Sequence, residues 1–161
     1  MGRPKEPVTQ AVRLLRREGV AFEGHPYSYV EGGGTRQFAR AKGVDEHCVI
    51  KTLIMEDEAG RPMIVLMHGD CEVSTKALAR QVGAKSIRPC DPGTADRHSG
   101  YQVGGTSPFG TRRPMPVYCE ASVAGLERIF INGGRRGYIL SMAAADMLRV
   151  LEPTLVSVAT D

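Results

Sequence analysis

Tryptophan is absent from this 161-residue chain, and aromatic residues make up only 6% of it. Long apolar runs are also missing. The longest, Met63 to Met67, is five residues, far short of a membrane span. The opening Met1-Gly2-Arg3-Pro4-Lys5-Glu6-Pro7 has no apolar core, which predicts no secretory leader and a cytoplasmic protein away from membranes. Cysteine is sparse: Cys48, Cys71, Cys90 and Cys119 stand far apart with no CxxC, as expected of free thiols in a reducing compartment. The one ligand-like spacing, His68-Gly69-Asp70-Cys71, lacks a second pair and reads as a polar turn, so no metal is expected. Charge of one sign is not in large excess either, the formal net charge being +3. What remains is 42% hydrophobic and 24% charged, ordinary for one globular domain, here residues 1–161.

Periodicity supplies the elements. Val8, Ala11, Val12 and Leu15 form one stripe of a helix over about 8–18 that stops at Gly19. Phe22 to Tyr29 reads as a strand ending in Gly32-Gly33-Gly34, followed by a short helix from Arg36 to Lys42. Val49 to Glu56 and Met63 to His68 are the clearest strands, with turn chemistry at Ala59-Gly60-Arg61-Pro62. A helix runs from Ser74 to Gly83, and another starts with Asp91 as cap and Pro92 at its first position. Strands are expected at Val117–Cys119, Arg128–Ile131 and Gly137–Ser141, and a last helix carries Ala144, Met147, Leu148 and Leu151 on one stripe. Strands and helices mix without a strict βαβ rhythm, which points to an α/β fold on a mixed sheet with peripheral helices.

Three features bear on chemistry. Lys51 shares a strand side with Val49, Leu53 and Met55; a lysine there guards an edge, snorkels to water, or meets an anion such as a phosphate. Gly100-Tyr101-Gln102-Val103-Gly104-Gly105-Thr106-Ser107-Pro108-Phe109-Gly110 is either a structural loop or one whose backbone N–H groups hold a carbonyl oxygen. It is neither of the glycine fingerprints for nucleotides. Asn132-Gly133-Gly134-Arg135-Arg136-Gly137 is a hairpin loop with solvated arginines or a polar rim of a cleft. Arg112-Arg113 and Arg135-Arg136 offer a basic rim for phosphates, and Tyr27 and Tyr29 a stacking surface or simply core.

The order of these segments resembles the YbaK family of aminoacyl-tRNA deacylases, which is related to the editing domain of bacterial prolyl-tRNA synthetases. The resemblance runs through Thr9 to Leu15, His25-Pro26-Tyr27, Val49 to Leu53, Asp91-Pro92, the glycine-rich loop, and Phe130 to Gly137. It implies a mixed, barrel-like sheet surrounded by helices. It also implies hydrolysis of the ester joining a wrong amino acid to tRNA, without metal or organic cofactor. By the resemblance, Lys51 contacts phosphate near the terminal adenosine of the tRNA 3′ acceptor end. Gly104 and Gly105 present backbone groups to the aminoacyl carbonyl. Thr106, Ser107 and Pro108 continue the substrate-binding loop, with Pro108 shaping the pocket, and Tyr27, Asn132, Gly133 and Gly134 complete it. Many relatives carry Ser or Thr in place of Asn132 and an aromatic near Gly34, and some an aspartate in place of Ile139, so the walls of the amino-acid pocket differ here.

The chemistry suits an activated ester, for which orientation and oxyanion stabilisation matter more than a strong nucleophile. Rejection by size at a synthetase is worth about 1–3 kcal/mol per methylene, which leaves work for a second sieve. By the resemblance, Cys-tRNA(Pro), whose own thiol attacks its ester in the cysteine-specific members of the family, is the expected substrate, with Ala-tRNA(Pro) or another small residue behind it. A non-catalytic module that holds the tRNA 3′ end, or docks on prolyl-tRNA synthetase, is the competing expectation.

Overall fold

Side-chain caps set where the helices begin. Thr9 opens α1 (Gln10–Arg17) by accepting from the N–H of Val12, and Ser74 opens α3 (Thr75–Val82) through Ala77. Asp91 opens α4 (Pro92–Ser99) through Thr94, with Pro92 in the first turn where no N–H is missed. Left-handed glycines close several of them: Gly43 ends α2 (Gly34–Lys42), Gly83 ends α3 and Gly100 ends α4. The computed structural model describes residues 7–161; the reading made over Met1–Glu6 lies outside them.

The strands are β1 (Phe22–Pro26), β2 (Val49–Asp57), β3 (Pro62–His68), β4 (Glu72–Val73), β5 (Ile87–Pro89), β6 (Val117–Glu120), β7 (Arg128–Arg135), β8 (Tyr138–Ala143), β9 (Thr154–Val156) and β10 (Ala159–Thr160). A 3₁₀ turn (Glu46–Cys48) precedes β2, a short α5 (Ala121–Ala124) follows β6, and α6 (Ala144–Leu151) follows β8. The main sheet runs β1-β8-β7-β2-β3-β6-β9, with β5 beside β2, and a small second sheet pairs β10 with β4. β2 lies antiparallel to β3 and parallel to β7; β3–β6 and β6–β9 are also parallel, so the sheet is mixed, as expected from the sequence.

The two faces of β2 belong to different cores. Ile50 and Ile54 pack with Val12, Leu15, Phe109, Ile131 and Leu140. Leu53 and Met55 pack on the other side with Met63, Val65, Met67 and Leu78. β1 is shorter than the strand expected to Tyr29: Pro26 has no N–H for further pairing, and only Tyr27 adds one bond, to the carbonyl of Gly137. Among the described residues no helix is long and apolar enough to cross a membrane.

Candidate functional site

The cleft exists because two strands share one edge of β2 without meeting. β3 pairs with β2 from Ile50 to Glu56 on one edge. On the other edge β7 stops at Ile50 and β5 begins only at Met55, which leaves Lys51 to Ile54 without a strand beside them. That gap opens into a cavity of about 580 Å³. Phe38, Leu53, Pro89 and Ile139 give it apolar walls, and Tyr27, Lys51, Gly104, Thr106 and Asn132 are the expected site residues that line it.

Lys51 points from the Leu53–Met55 face to the mouth of this cleft. Its side chain is 19% exposed, and its Nζ lies 3.4 Å from Oε1 of Glu72, a carboxylate 75% exposed. β2 is an interior strand, so Lys51 is no edge guard in the usual sense; it stands where the edge is left open. Glu72 is carried by β4, which the chain's last strand, β10, holds in place.

The glycine-rich loop is a wound platform and not a loose strap. Tyr101 is buried, donates its hydroxyl to the carbonyl of Phe109, and has its phenol pushed up to about 12 by burial. Ser99 Oγ accepts from Tyr101 N–H, Ser107 Oγ from Phe109 N–H, and Asp96 from Val103 N–H. Gly104 adopts φ +91°, and a β-carbon there would strike the Tyr29 ring. Gly105 lies against the backbone of Arg135 and Arg136, 2.6 Å from where its β-carbon would stand to Arg136 N. Among the described residues, the N–H groups of Gly104 and Thr106 donate to no other protein group.

The turn between β7 and β8 is clasped to that platform. Asn132 donates from Nδ2 to the carbonyl of Gly104 at 3.2 Å, while its Oδ1 accepts from Gly134 N–H at 2.7 Å and Arg135 N–H at 3.2 Å. Arg136 donates to the carbonyl of Val103 and places its guanidinium 5.1 Å from the Tyr29 ring centroid. The arginines of this turn are therefore partly structural: one of the pair is spent on the loop it faces.

Five expected site residues do not line the cavity. Gly105 packs backbone against backbone, Ser107 is fully buried, and Pro108 is buried beside it. Gly133 lies under the Tyr138 and Leu140 side chains, and Gly134 against Tyr101 and Thr9, whose hydroxyl donates to the Gly133 carbonyl. Their smallness serves close packing of the two loops. The cavity also brings in Thr52, which belongs to the recognised Val49–Leu53 stretch but was given no role there and whose buried hydroxyl has no hydrogen-bond partner among the described residues, and two residues not expected in the site, Glu72 and Cys90. Cys90 sits next to the recognised Asp91-Pro92 cap, the only local hint of its place.

Two potential nucleophiles of the lining are each paired with a carboxylate: Thr35 Oγ1 donates to Glu46 Oε2 at 2.8 Å, and the Cys90 thiol is hydrogen-bonded to Glu56. The Cys90 thiol is pushed up to about 11, first by burial and then by the Glu56 carboxylate, so it stays protonated at neutral pH. The Tyr27 phenol is likewise raised by burial and by neighbouring Tyr29. The cavity is lined by a cation, apolar walls, and two residues, Gly104 and Thr106, whose N–H groups have no other protein partner among the described residues; groups of these kinds can position an ester and stabilise an oxyanion.

The His68/Cys71 spacing dissolves on folding. His68 is fully buried, with Nδ1 2.7 Å from the His47 carbonyl and Nε2 2.7 Å from Ser122 Oγ, so both ring nitrogens are committed.

A model of the aminoacyl-tRNA editing domain matches residues 32–150 of the chain. A protein of Enterococcus faecalis, provisionally named a Cys-tRNA(Pro)/Cys-tRNA(Cys) deacylase, is 22% identical over 94% of this chain and 93% of its own length. A proline–tRNA ligase of Ligilactobacillus salivarius is 31% identical over 63% of this chain, a match that takes in 18% of the ligase. Among solved structures, one described provisionally as a trans-editing enzyme for prolyl-tRNA synthetase superposes with a TM-score of 0.81 at 19% identity, over 97% of this chain and all of that one.

Proposed function

This chain belongs to the aminoacyl-tRNA editing domain family, and we propose that it acts in trans as a deacylase of mischarged tRNA, with Cys-tRNA(Pro) its first substrate and Ala-tRNA(Pro) second. The terminal adenosine enters the gap beside β2. Lys51 exchanges Glu72 for a phosphate of the tRNA 3′ end, a charge-assisted contact. The aminoacyl carbonyl oxygen faces the N–H groups of Gly104 and Thr106, and the amino-acid side chain lies among Phe38, Leu53 and Ile139.

The cysteinyl thiol then attacks its own ester carbonyl carbon. The C–S bond forms, the bond from carbonyl carbon to ribose oxygen breaks, and that oxygen takes the thiol proton through solvent. The tRNA leaves uncharged, and water opens the cyclic thioester. The Gly104 and Thr106 N–H groups, without another protein partner among the described residues, at a cleft whose lining thiol, Cys90, is held protonated are the observation that carries this reading. For alanine, water takes the place of the thiol and the same donors serve.

Incubation with labelled Cys-tRNA(Pro), Ala-tRNA(Pro) and Pro-tRNA(Pro) tests it, with and without prolyl-tRNA synthetase. Release of cysteine well above the uncatalysed rate, with proline spared, is the expected result. Tight binding of all three without release of any amino acid identifies a tRNA-holding module instead.

A further inference from the structure

The turn that removes His68 from Cys71 delivers a different donor set. His47, in the 3₁₀ turn before β2, and Asp70 and Cys71, between β3 and β4, place one ligand atom each within 4.8 Å of one another. His47 Nδ1 is 2.8 Å from Asp70 Oδ1, and Cys71 Sγ is 3.6 Å from the same oxygen. We propose that His47, Asp70 and Cys71 form a binding site for a thiophilic divalent cation, zinc before others.

Geometry and donor chemistry agree on this. Zinc bonds of about 2.0–2.3 Å in a tetrahedron put neighbouring donors about 3.3–3.7 Å apart, so the His47–Asp70 and Asp70–Cys71 edges, at 2.8 and 3.6 Å, sit within roughly half an ångström of that range. One imidazole, one carboxylate and one thiolate suit zinc and exclude magnesium or calcium, which take oxygen sets.

The site is also braced. The His47 ring stacks on the buried His68 ring at 3.6 Å and 7°, so its plane is fixed by the core. His68 in turn holds the His47 carbonyl, and the Cys71 N–H bonds the His68 carbonyl, which fixes the turn that carries Asp70 and Cys71. Such outer bracing is what orients metal ligands in proteins. With three protein donors, the fourth position is left to water or to an incoming anion.

The place in the fold gives the site a consequence. Cys71 is followed directly by Glu72, the partner of Lys51 at the cleft mouth. A cation here fixes the chain one residue from that ion pair.

The probe is Co²⁺ titrated into the reduced, metal-stripped full-length protein, followed by the thiolate-to-cobalt absorption in the near ultraviolet, with Zn²⁺ as competitor. One equivalent of Co²⁺ is expected to give the band, and Zn²⁺ to displace it. Cys71→Ser should abolish the band, and His47→Gln should weaken binding at least about tenfold. Cys48→Ser and Cys90→Ser should leave both unchanged. Zn²⁺ should raise the thermal midpoint of the unsubstituted protein and not that of Cys71→Ser. Cys71→Ser replaces one sulfur by oxygen on a half-exposed residue, so its folding does not hang on the result. No thiolate band, or a band that survives Cys71→Ser, overturns the site. None of these readouts is deacylation, so the proposed activity and this site stand or fall separately.

Discussion

Lys51 and Glu72 face each other across the mouth of the cleft at 3.4 Å, the lysine mostly buried and the carboxylate mostly in water. The pairing is asymmetric: β2 fixes the lysine, while its partner is the group that moves most easily. An exposed ion pair contributes about 0–1 kcal/mol, so a phosphate that brings more charge displaces Glu72 at small cost. Lys51→Ala is expected to lower deacylation efficiency by about ten- to hundredfold, the worth of one charge-assisted contact at about 1.5–3 kcal/mol. Its thermal midpoint should stay close to that of the parent, because a charge is removed from an apolar face and little core volume is lost. Lys51→Arg should rescue only in part, since a planar fork replaces a compact ammonium. Glu72→Gln should act in the opposite direction, tightening tRNA binding up to about fivefold, as expected for losing a competitor of that size. Rates and binding measured against tRNA concentration check all three; a Lys51→Ala protein that folds and deacylates at the parental rate removes Lys51 from the site.

Asn132 spends its side-chain amide on the two loops that meet at the cleft. It thereby sets where the Gly104 peptide stands. Asn132→Ala is expected to lower turnover about tenfold on every aminoacyl-tRNA tested, since three hydrogen bonds of about 0.5–1.5 kcal/mol each are partly replaced by water. Asn132→Ser should recover part of the rate. Ratios of Cys-tRNA(Pro) to Ala-tRNA(Pro) turnover are the discriminating measurement. A change in that ratio larger than the change in rate makes Asn132 a selector of the amino acid and not a clasp.

Local signals carried most of the fold. The Asp91 cap, the helix start near Ser74 and the β2 and β3 patterns each need only a few neighbouring residues to be read, and the structure has them; the Thr9 cap, which starts α1 at Gln10, went unread in a helix expected from about Val8. β5 and β9, at three residues each, and β4 and β10, at two, were not expected, because strands that short have no periodicity and owe their existence to the edge they join. The site divides in the same way. Lys51 stood out as a charge among apolar residues. The gap beside it did not, because it arises from where β7 stops and β5 starts, a relation between segments nearly forty residues and more apart. For the same reason the two glycine-rich segments were visible as composition, while the fact that they pack on each other was not.

That packing makes Gly105 the most exacting position of the loop. A β-carbon there would stand 2.6 Å from Arg136 N and 2.8 Å from Arg135 C, both backbone atoms that no side-chain rotation moves aside. Gly105→Ala is therefore expected to push the loop off the β7–β8 turn, at about 1–3 kcal/mol in stability, and to cost far more in activity than that loss alone explains. Gly125→Ala is the control: its φ is −83°, and a β-carbon there would meet only the Ser122 carbonyl oxygen at 3.5 Å, an ordinary contact. Thermal unfolding and deacylation of the two variants, side by side, separate loop placement from general damage. Equal activity in both would mean that the glycine loop does not need its seat on the turn.

The cysteines give the pH dependence. Burial and the Glu56 charge raise Cys90 from its ordinary 9.0 to about 11, and burial raises Cys119 to about 12. A thiol with a raised folded pKa binds its proton more tightly in the native state than in the unfolded one. Between the two pKa values the native state therefore holds more protons, and stability falls as pH rises. Their contribution is complete below about pH 9 and is lost as pH climbs through about 11 to 12. The thermal midpoint should be insensitive to these groups between pH 7 and 8 and should fall steeply above 9. Cys90→Ser should flatten the first part of that fall, because a serine hydroxyl does not ionise there. The same protonated state bears on catalysis. If Cys90 is wall and not nucleophile, Cys90→Ser keeps deacylation of Cys-tRNA(Pro) within severalfold of the parent at neutral pH, and alkylating reagents act slowly on that thiol. A folded Cys90→Ser protein without activity would make Cys90 the attacking group and return the chemistry from the substrate's thiol to the enzyme's.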